Sequence, residues 1–302
     1  MLLWSTKPLG VVTLVLIATS LIVSSAAGQV IDAAGSADNT DQNLKTVEHQ
    51  SPQSSDLEEQ PFLQTFGQDE WRMWTSPFRR STYRSPTVRK YGIPFLVLST
   101  AFLATDRRTA DLLPNTPDQT KWSGRLSQVG ASYTLAGISG SAYLLGRLGG
   151  NGHVKEAGWL GLQAIAHTQV FVFGIKQTTN RERPLDHDGH GSFWKGGNSF
   201  PSGHAATSFA LATVFAYAYR DHIAVPITAY SLASVVAASR LSAQRHWVSD
   251  IFVGGSMGFL IGRYVYKNHH DPNLPGSPVS RTSRLLPEFG FGRRGLVLLW
   301  RL

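Results

Sequence analysis

The chain has 302 residues, 42% of them hydrophobic, which suits one substantial core with appendages better than two full domains. It contains no cysteine, and this excludes a disulfide framework, a thiol nucleophile and a Cys-ligated metal site. A formal net charge of +8 and a pI near 9.8 indicate anionic partners, which can be phosphorylated substrates, an acidic membrane surface or nucleic acid.

Residues 1–28 have the pattern of a secretory leader. Lys7 lies in a short positive start, residues 9–23 are apolar, and small residues suited to cleavage follow at 25–28. An uncleaved N-terminal anchor is the alternative, although the apolar run is shorter than the roughly 20 residues of a typical span. Both interpretations place the rest of the chain outside the cytoplasm, so we predict an exported protein of the cell envelope, either periplasmic or membrane-associated.

Residues 29–90 contain two stretches of different character. The first, to about residue 68, is polar and has too few large apolar groups to offset chain entropy, so we predict a linker. The second can lie among lipid headgroups or pack on the folded domain, and packing is our working hypothesis. This second stretch is basic and aromatic and contains Trp71, Trp74, Phe78, Arg79, Arg80, Tyr83 and Arg84.

Residues 91–268 are predicted to form an all-α domain. Six apolar segments, rich in Ala, Leu, Ser and Gly rather than alternating β-branched residues, have the lengths of helices. They are 91–105, 127–146, 157–175, 203–219, 223–239 and 251–266. Small residues such as Gly254 and Gly258 predict close helix contacts. The remaining tail, 269–302, is first Pro- and Ser-rich and ends in a possible strand or hairpin at 289–302.

Three polar clusters lie at the ends of these apolar segments. In the first, Lys176 precedes Arg183 by seven residues, close to two helical turns, and Pro184 then ends the helix. Both cations can therefore point into one pocket. Alternatively, such residues complement the dipole at a helix end.

The second cluster is Pro201-Ser202-Gly203-His204, directly before an apolar segment. A helix start presents unpaired N–H groups and partial positive charge, Gly203 allows close backbone approach, and the Ser202 hydroxyl adds a donor. The turn therefore suits a phosphate, with His204 at its mouth. An ordinary Ser N-cap beside an exposed His is the alternative.

The third cluster is Ser239-Arg240, His246 and Asp250. The four-residue separation of His246 and Asp250 predicts that they share a helix face, so that the carboxylate accepts the imidazole Nδ1–H. Nε2 is then unprotonated, as a nucleophile requires. A purely structural hydrogen bond is the alternative.

Together the clusters read Lys-x6-Arg-Pro, Pro-Ser-Gly-His and Ser-Arg-x5-His-x3-Asp. This arrangement resembles, at every fixed position, the signature of the type 2 phosphatidic acid phosphatase and vanadium haloperoxidase superfamily. The resemblance covers about residues 91–266 and implies a bundle of about six core helices in which the clusters converge on one phosphate. It specifies the superfamily more closely than the substrate.

The resemblance also implies a role for each matched residue. His246 would attack phosphorus, Asp250 would orient it, and His204 would protonate the departing alcohol before water hydrolyses the phosphohistidine. The phosphate oxygens would be held by Lys176, Arg183, Ser202, Gly203 and Arg240. Because these cations do the work of Mg²⁺, we expect no metal and no other cofactor. The expected function is hydrolysis of phosphate monoesters.

Several alternatives remain open from the sequence. A vanadate-dependent haloperoxidase shares the signature, and a broad-specificity soluble acid phosphatase would present the same site. Asp186, His187, Asp188 and His190 can suggest a metal site, although a substrate-facing loop fits their glycine-rich surroundings better. His167 and Gln163 are expected to be satisfied core groups or pocket lining. No nucleic-acid module is recognised, so we expect no nucleic-acid partner.

Membrane association is expected, but its form is open. The mean hydropathy of −0.10 is low for six spans, and six spans from an exported N-terminus would place Lys176 on the cytoplasmic side. A soluble or peripheral bundle, or five spans with 91–105 at the interface, avoids this conflict. We predict a site outside the cytoplasm that accepts a phosphorylated lipid or a small phosphate ester. Nothing in the sequence specifies the ester or the oligomeric state.

Overall fold

The computed structural model describes residues 62–86, 88–114, 116–185, 190–275, 288–292 and 295–299. The leader, residues 29–61 of the predicted linker and much of the C-terminal tail lie outside the described residues. The body of the described chain is helical, so the all-α prediction is confirmed there. Near the C-terminus, strand β1 (Glu288–Gly292) pairs antiparallel with β2 (Gly295–Leu299), in the region where a hairpin was considered possible.

Nine α-helices are present within the described ranges. They are α1 Phe62–Thr75, α2 Arg80–Arg84, α3 Ile93–Asp111, α4 Pro117–Ser127, α5 Ser132–Leu148, α6 Gly152–Thr179, α7 Gly203–Ala218, α8 Ala224–Ser242 and α9 Val248–His269. The six predicted apolar helices correspond to α3 and to α5 through α9, with ends that differ by a few residues.

The sequence analysis did not predict helices α1 and α4, and the reason differs between them. Helix α4 is polar, so no apolar periodicity marks it. Its start is set by Thr116, whose hydroxyl accepts the N–H of Gln119 at 3.3 Å, and by Pro117 in the first turn. Helix α1 begins at Phe62, inside the stretch predicted as a linker, and packs through scattered residues such as Met73 and Asp69.

Some side chains of the basic aromatic stretch pack on the bundle, and others are exposed. Trp74 stacks on Phe171 of α6 with ring centroids 4.3 Å apart, which agrees with the packing hypothesis. Trp71 and Phe78, by contrast, are 71% and 77% exposed. One face of the segment therefore covers the bundle, while the other presents aromatic side chains outward.

Helix α7 lies at the centre of the bundle, between α6, α8 and α9. Its sequence is small or apolar around its whole circumference, as expected of a helix without a solvent face. The surrounding core is formed by large apolar side chains of α6, α9 and the segment before α7: Leu160, Phe171, Val172, Phe200, Val253, Met257, Ile261 and Val265.

A glycine row on α9 allows α7 to approach closely. The row and its α7 neighbours share a four-residue spacing: Gly254, Gly258 and Gly262 face Ser202, Ala206 and Ala210. A Cβ on Gly254 would lie 2.6 Å from the Ser202 carbonyl oxygen, and one on Gly258 would overlap the Ala206 carbonyl. The predicted close helix contact is therefore present, and it holds the start of α7 against the start of α9.

Several outer helices present apolar side chains to the surroundings. Within the described part of the chain one helix, α8, is long and apolar enough to cross a membrane, with a mean hydropathy of 1.3 and a third of its span buried. Large apolar side chains are also exposed on α3, α5 and α8: Ile93, Val97, Leu98, Ile138, Leu144, Leu145, Ile227, Leu232 and Val235. Helices α3, α5 and α8 therefore each present apolar side chains on an exposed face.

We expect Gly258→Ala to destabilise the fold, because the new methyl group would meet the α7 backbone, which cannot rotate away. The loss should be about 2 kcal/mol or more of unfolding free energy, or roughly 5 °C in Tm. Thermal unfolding followed by circular dichroism measures it. Gly137→Ala on α5 is the matched control, because a Cβ there meets nothing within 4 Å. Equal stability of the two variants would contradict the close contact.

Candidate active site

The three predicted clusters meet at one end of the bundle, where α6 ends and α7 and α9 begin. The Ser202 N–H donates to the Asp250 carbonyl at 3.0 Å, which joins the second cluster to the third. The Thr179 hydroxyl donates to the Phe200 carbonyl at 3.1 Å, which joins the end of α6 to the segment before α7. Residues from distant parts of the sequence therefore lie together at this end of the bundle.

Lys176 lies in the last turn of α6, which ends because Asn180 adopts a left-handed conformation with φ of 42°. The Lys176 ammonium donates to the Asn198 carbonyl, in the segment that leads to α7. Burial lowers its pKa to about 8, and the nearby cations Arg183 and Arg240 act in the same direction. The first two predicted cations therefore lie close enough to influence each other.

Ser202 is the N-cap residue of α7, but its hydroxyl does not cap the helix. The side chain is fully buried, and its Oγ has no hydrogen-bond partner among the described residues. A buried hydroxyl rarely stays unpaired, so this atom is suited to an anion that binds at the start of α7. Gly203 leaves the same place open, because a Cβ there would contact only Val172, at 3.4 Å.

His204 is half-buried in the first turn of α7. Burial, with the neighbouring Arg240, His246, Lys176 and Arg183 acting in the same direction, lowers its pKa to about 4. The imidazole is therefore neutral at neutral pH. These neighbours are the cations and histidine that the sequence analysis assigned to one site.

His246 is 2% exposed and lies just before α9, outside the helix. The two residues do lie together, but the prediction that they share a helix face is wrong, because His246 precedes the helix. The two meet because Asp250, in the first turn of α9, accepts the N–H of the cap residue Trp247 at 2.9 Å and so turns back toward His246. His246 Nδ1 lies 3.5 Å from Asp250 Oδ2 and has no hydrogen-bond partner within the described residues.

At neutral pH His246 is neutral and Asp250 is ionised, for different physical reasons. Complete burial lowers the pKa of His246 to about 4, against the opposing effect of Asp250. Burial by itself would raise the pKa of Asp250, but the Arg181 charge and the bonds from His246 and Ser199 bring it down to about 2. A neutral imidazole thus lies beside an ionised carboxylate, as a histidine nucleophile needs.

Arg240 lies in the last turn of α8, close enough to Lys176 and His204 to influence their pKa values. It is mostly buried, and its Nη1 donates to the Ser127 hydroxyl at 2.9 Å, while its Nε has no partner within the described ranges. Ser127, at the end of α4, was not predicted as part of the site, because a lone serine in a polar stretch gives no signal. The remaining donors of Arg240 are available to an anion.

Arg181 and Asp106 were also missed, and they lie directly behind Asp250. Arg181 donates to Asp250 Oδ1 at 2.5 Å and to Asp106 Oδ2 at 2.8 Å, and all three side chains are at most 3% exposed. Arg181 stands between the two residues of the first cluster and could have been suspected from that place. Asp106 lies in α3, directly after the predicted apolar segment 91–105, and nothing in the local sequence marked it.

The described residues contain no group of three or more histidine or acidic side chains placed to hold a metal ion. Asp186, His187 and Asp188 of the glycine-rich joint lie outside them. His167, the core or lining candidate, lies in α6 and bonds Glu70 of α1 at 2.7 Å. Gln163 lines a cavity of about 730 Å³ between α1 and α6. Neither residue is a neighbour of the three clusters.

The chain is similar to known phosphatases. Residues 157–273 match the model of the PAP2 superfamily, and all eight predicted site residues lie in this segment. The lipid A 1-phosphatase of Porphyromonas gingivalis is 41% identical over 70 residues, which cover 23% of this chain and 16% of that protein. The matched stretch is thus about a sixth of the curated relative.

Two solved structures are also similar. One is a transmembrane PAP2-type phosphatidylglycerolphosphate phosphatase from Bacillus subtilis, with 23% identity, a TM-score of 0.41 and coverage of 56% of this chain and 84% of the other. The second is LpxE from Aquifex aeolicus, with 22% identity, a TM-score of 0.43 and coverage of 55% and 94%. The family match at 157–273 coincides with helices α6 to α9, which carry the predicted site residues, so this part of the chain is similar to the PAP2 superfamily.

Proposed function

We propose that this chain hydrolyses phosphate monoesters with His246 as a covalent nucleophile. The observation that carries the proposal is a buried neutral imidazole beside an ionised Asp250, in a pocket that also contains Lys176, Arg240 and the unpartnered Ser202 hydroxyl. Such a pocket is complementary to a phosphate dianion. Its histidine is deprotonated and can attack phosphorus.

The reaction proceeds in two displacements at phosphorus. His246 Nε2 attacks in line, an N–P bond forms, the P–O bond to the alcohol breaks, and His204 donates a proton to the departing oxygen. A water molecule then attacks the phosphohistidine, His204 accepts a proton from that water, and inorganic phosphate leaves with His246 regenerated. Asp250 stabilises the positive charge that His246 carries in between.

The cations have a second effect, on the protonation of His204. Burial lowers the pKa of His204 to about 4, with these cations acting in the same direction, so it carries no proton to donate at neutral pH. A bound phosphate dianion cancels their field and raises the pKa of His204. The general acid is therefore charged only when substrate is present, and the proton can arrive with a monoanionic substrate.

We infer that the substrate is a phosphorylated lipid or a related envelope phosphate. The support is the apolar outer surface of α3, α5 and α8, which favours association with a membrane, and the similarity to a lipid A 1-phosphatase. The leader pattern at 1–28 favours a site that faces the outside of the cytoplasm. Small soluble phosphate esters present the same headgroup, and a substrate panel with and without detergent distinguishes the two classes.

We expect His246→Ala to abolish turnover, since His246 is the imidazole beside Asp250 within the part of the chain that the structure describes. His204→Ala should impair alkyl phosphates by about 10²-fold or more and nitrophenyl phosphate much less, because nitrophenolate leaves without a proton. Phosphate release from purified, folded variants measures both. His222→Ala, on the surface between α7 and α8, is the matched control. Substantial turnover by folded His246→Ala protein would remove it as the nucleophile.

The pH dependence of kcat/KM should show an alkaline limb near pH 8. The pKa of Lys176 is lowered to about 8, so its charge is present below this pH and lost above it, together with its attraction for phosphate. Lys176→Arg should keep the charge and move the limb upward by about one pH unit or more. Lys155→Arg, at the opposite end of α6, should leave the limb in place. An unchanged limb in Lys176→Arg would assign it to another group.

Activity should persist in excess EDTA, because the cationic side chains take the role of a metal. Orthovanadate should inhibit competitively, since it adopts the pentacoordinate geometry of the transition state. Steady-state assays with dialysed protein test both statements. Loss of activity on chelation, with recovery after addition of a divalent ion, would instead support a metal-dependent mechanism.

A further inference from the structure

Behind Asp250 lies a buried ion triad that the proposed reaction does not use directly. Arg181 stands between two carboxylates, with Nη1 2.5 Å from Asp250 Oδ1 and Nη2 2.8 Å from Asp106 Oδ2. Ser249 closes the group, because its hydroxyl accepts from Arg181 Nη1 at 2.7 Å and donates to Asp106. Asp106 belongs to α3, which lies outside the segment that matches the family model.

The guanidinium of Arg181 also contacts a backbone carbonyl and two aromatic rings. Its Nε donates to the Gly191 carbonyl at 3.1 Å, and its plane lies between the rings of Phe193 and Trp247, at 4.8 and 5.3 Å from their centroids. Gly191 has a φ of 63° and packs against Trp247 so closely that a Cβ would lie 2.8 Å from the ring. Arg181 therefore has one available position, and a lysine could not make these bonds at once.

Asp106 fixes the other end of Arg181. Its Oδ1 accepts the Ser249 N–H at 3.0 Å, and Oδ2 accepts from Arg181 and the Ser249 hydroxyl. These donors belong to Arg181 and Ser249, which lie near His246 and outside α3. Burial of two carboxylates is costly unless each is paired, so a mere structural tie between α3 and α9 would be made more cheaply by apolar side chains.

The two carboxylate oxygens of Asp250 have different partners. Oδ1 bonds Arg181, while Oδ2 accepts from Ser199 at 2.5 Å and from the Trp247 N–H at 2.9 Å, and faces His246 Nδ1. Rotation of the carboxylate about its Cβ–Cγ bond would break the Arg181 contact. Arg181 thereby sets the direction in which Asp250 presents Oδ2 to the imidazole.

We propose that Arg181 and Asp106 are positioning residues for phosphoryl transfer: Asp106 holds Arg181, and Arg181 holds Asp250 ionised and directed at His246. The inference rests on the proposed function and extends its site to α3. This positioning affects the step in which His246 becomes cationic, because Asp250 stabilises that positive charge. Lys176 and Arg240 donate to Asn198 and Ser127, which lie outside the triad.

The test compares Asp106→Asn with wild type in the full-length protein. We expect kcat for an alkyl phosphate to fall roughly 10- to 100-fold, with KM and the inhibition constant of orthovanadate changed less than about threefold, since the phosphate ligands remain in place. Asp69→Asn is the matched control. Asp69 is a buried carboxylate of α1 that bonds His269 and Tyr264 at the far end of α9, so its loss should lower Tm but not kcat.

A double-mutant cycle separates positioning from general loosening. If Asp106 acts through Asp250, Asp106→Asn should cause little further loss of kcat in an Asp250→Asn background, less than about twofold. Independent structural damage would give losses that multiply. If Asp106→Asn does not fold, Ser249→Ala replaces it, because it removes the hydroxyl that bridges Asp106 and Arg181 and should lower kcat several-fold.

The outcomes are distinct. Wild-type kcat in folded Asp106→Asn protein, multiplying losses in the cycle, or an equal fall of kcat in Asp69→Asn each overturns the positioning role while phosphate release by wild type still supports the proposed function. A wild-type protein that releases phosphate from no ester overturns the proposed function and this inference with it. A selective fall in kcat with a non-additive cycle establishes both.

Discussion

The architecture of the site depends on one buried charge, the carboxylate of Asp250, which has no exposed surface. A carboxylate in this position is stable only when its lone pairs are occupied by donors. Its side chain takes bonds from Arg181, Ser199 and the Trp247 N–H, and its backbone carbonyl takes the N–H of Ser202. These donors come from the loop after α6, the segment before α7 and the start of α9. Satisfying one charge therefore assembles three separate parts of the chain.

This arrangement requires helices that approach closely, and the glycine row of α9 provides that. Because Gly254 has no side chain, the backbone at Ser202 can lie against α9, one turn beyond Asp250. The first turn of α7, beside the Ser202 hydroxyl that has no partner among the described residues, is then held near His246. The same contact therefore determines both the packing of the two helices and the surroundings of the imidazole. A larger residue on α9 would move the first turn of α7 away from the imidazole.

The sequence predicted the parts of this site that depend on local pattern. Apolar segments marked α3 and α5 through α9, and the spacing of polar residues at their ends marked the three clusters. Local pattern failed where a contact joins distant segments: Asp106 meets Arg181 only through the packing of α3 on α9, and Ser127 meets Arg240 only through α4. The pairing of His246 with Asp250 was predicted, but by helical periodicity, whereas a helix cap forms it. Periodicity carries no information on caps that use a residue before the helix.

The charge balance of the pocket links folding to the proposed chemistry. Lys176, Arg183 and Arg240 influence one another, while Asp250 is held by Arg181, so cationic side chains predominate in the site. Burial, with these cations acting in the same direction, lowers the pKa of His204 and of His246 to about 4, so both imidazoles are neutral. In the mechanism that we propose, a phosphate dianion offsets the cations and favours a protonated His204. One cluster of cations then serves both steps of that mechanism, because the substrate itself supplies the change in charge.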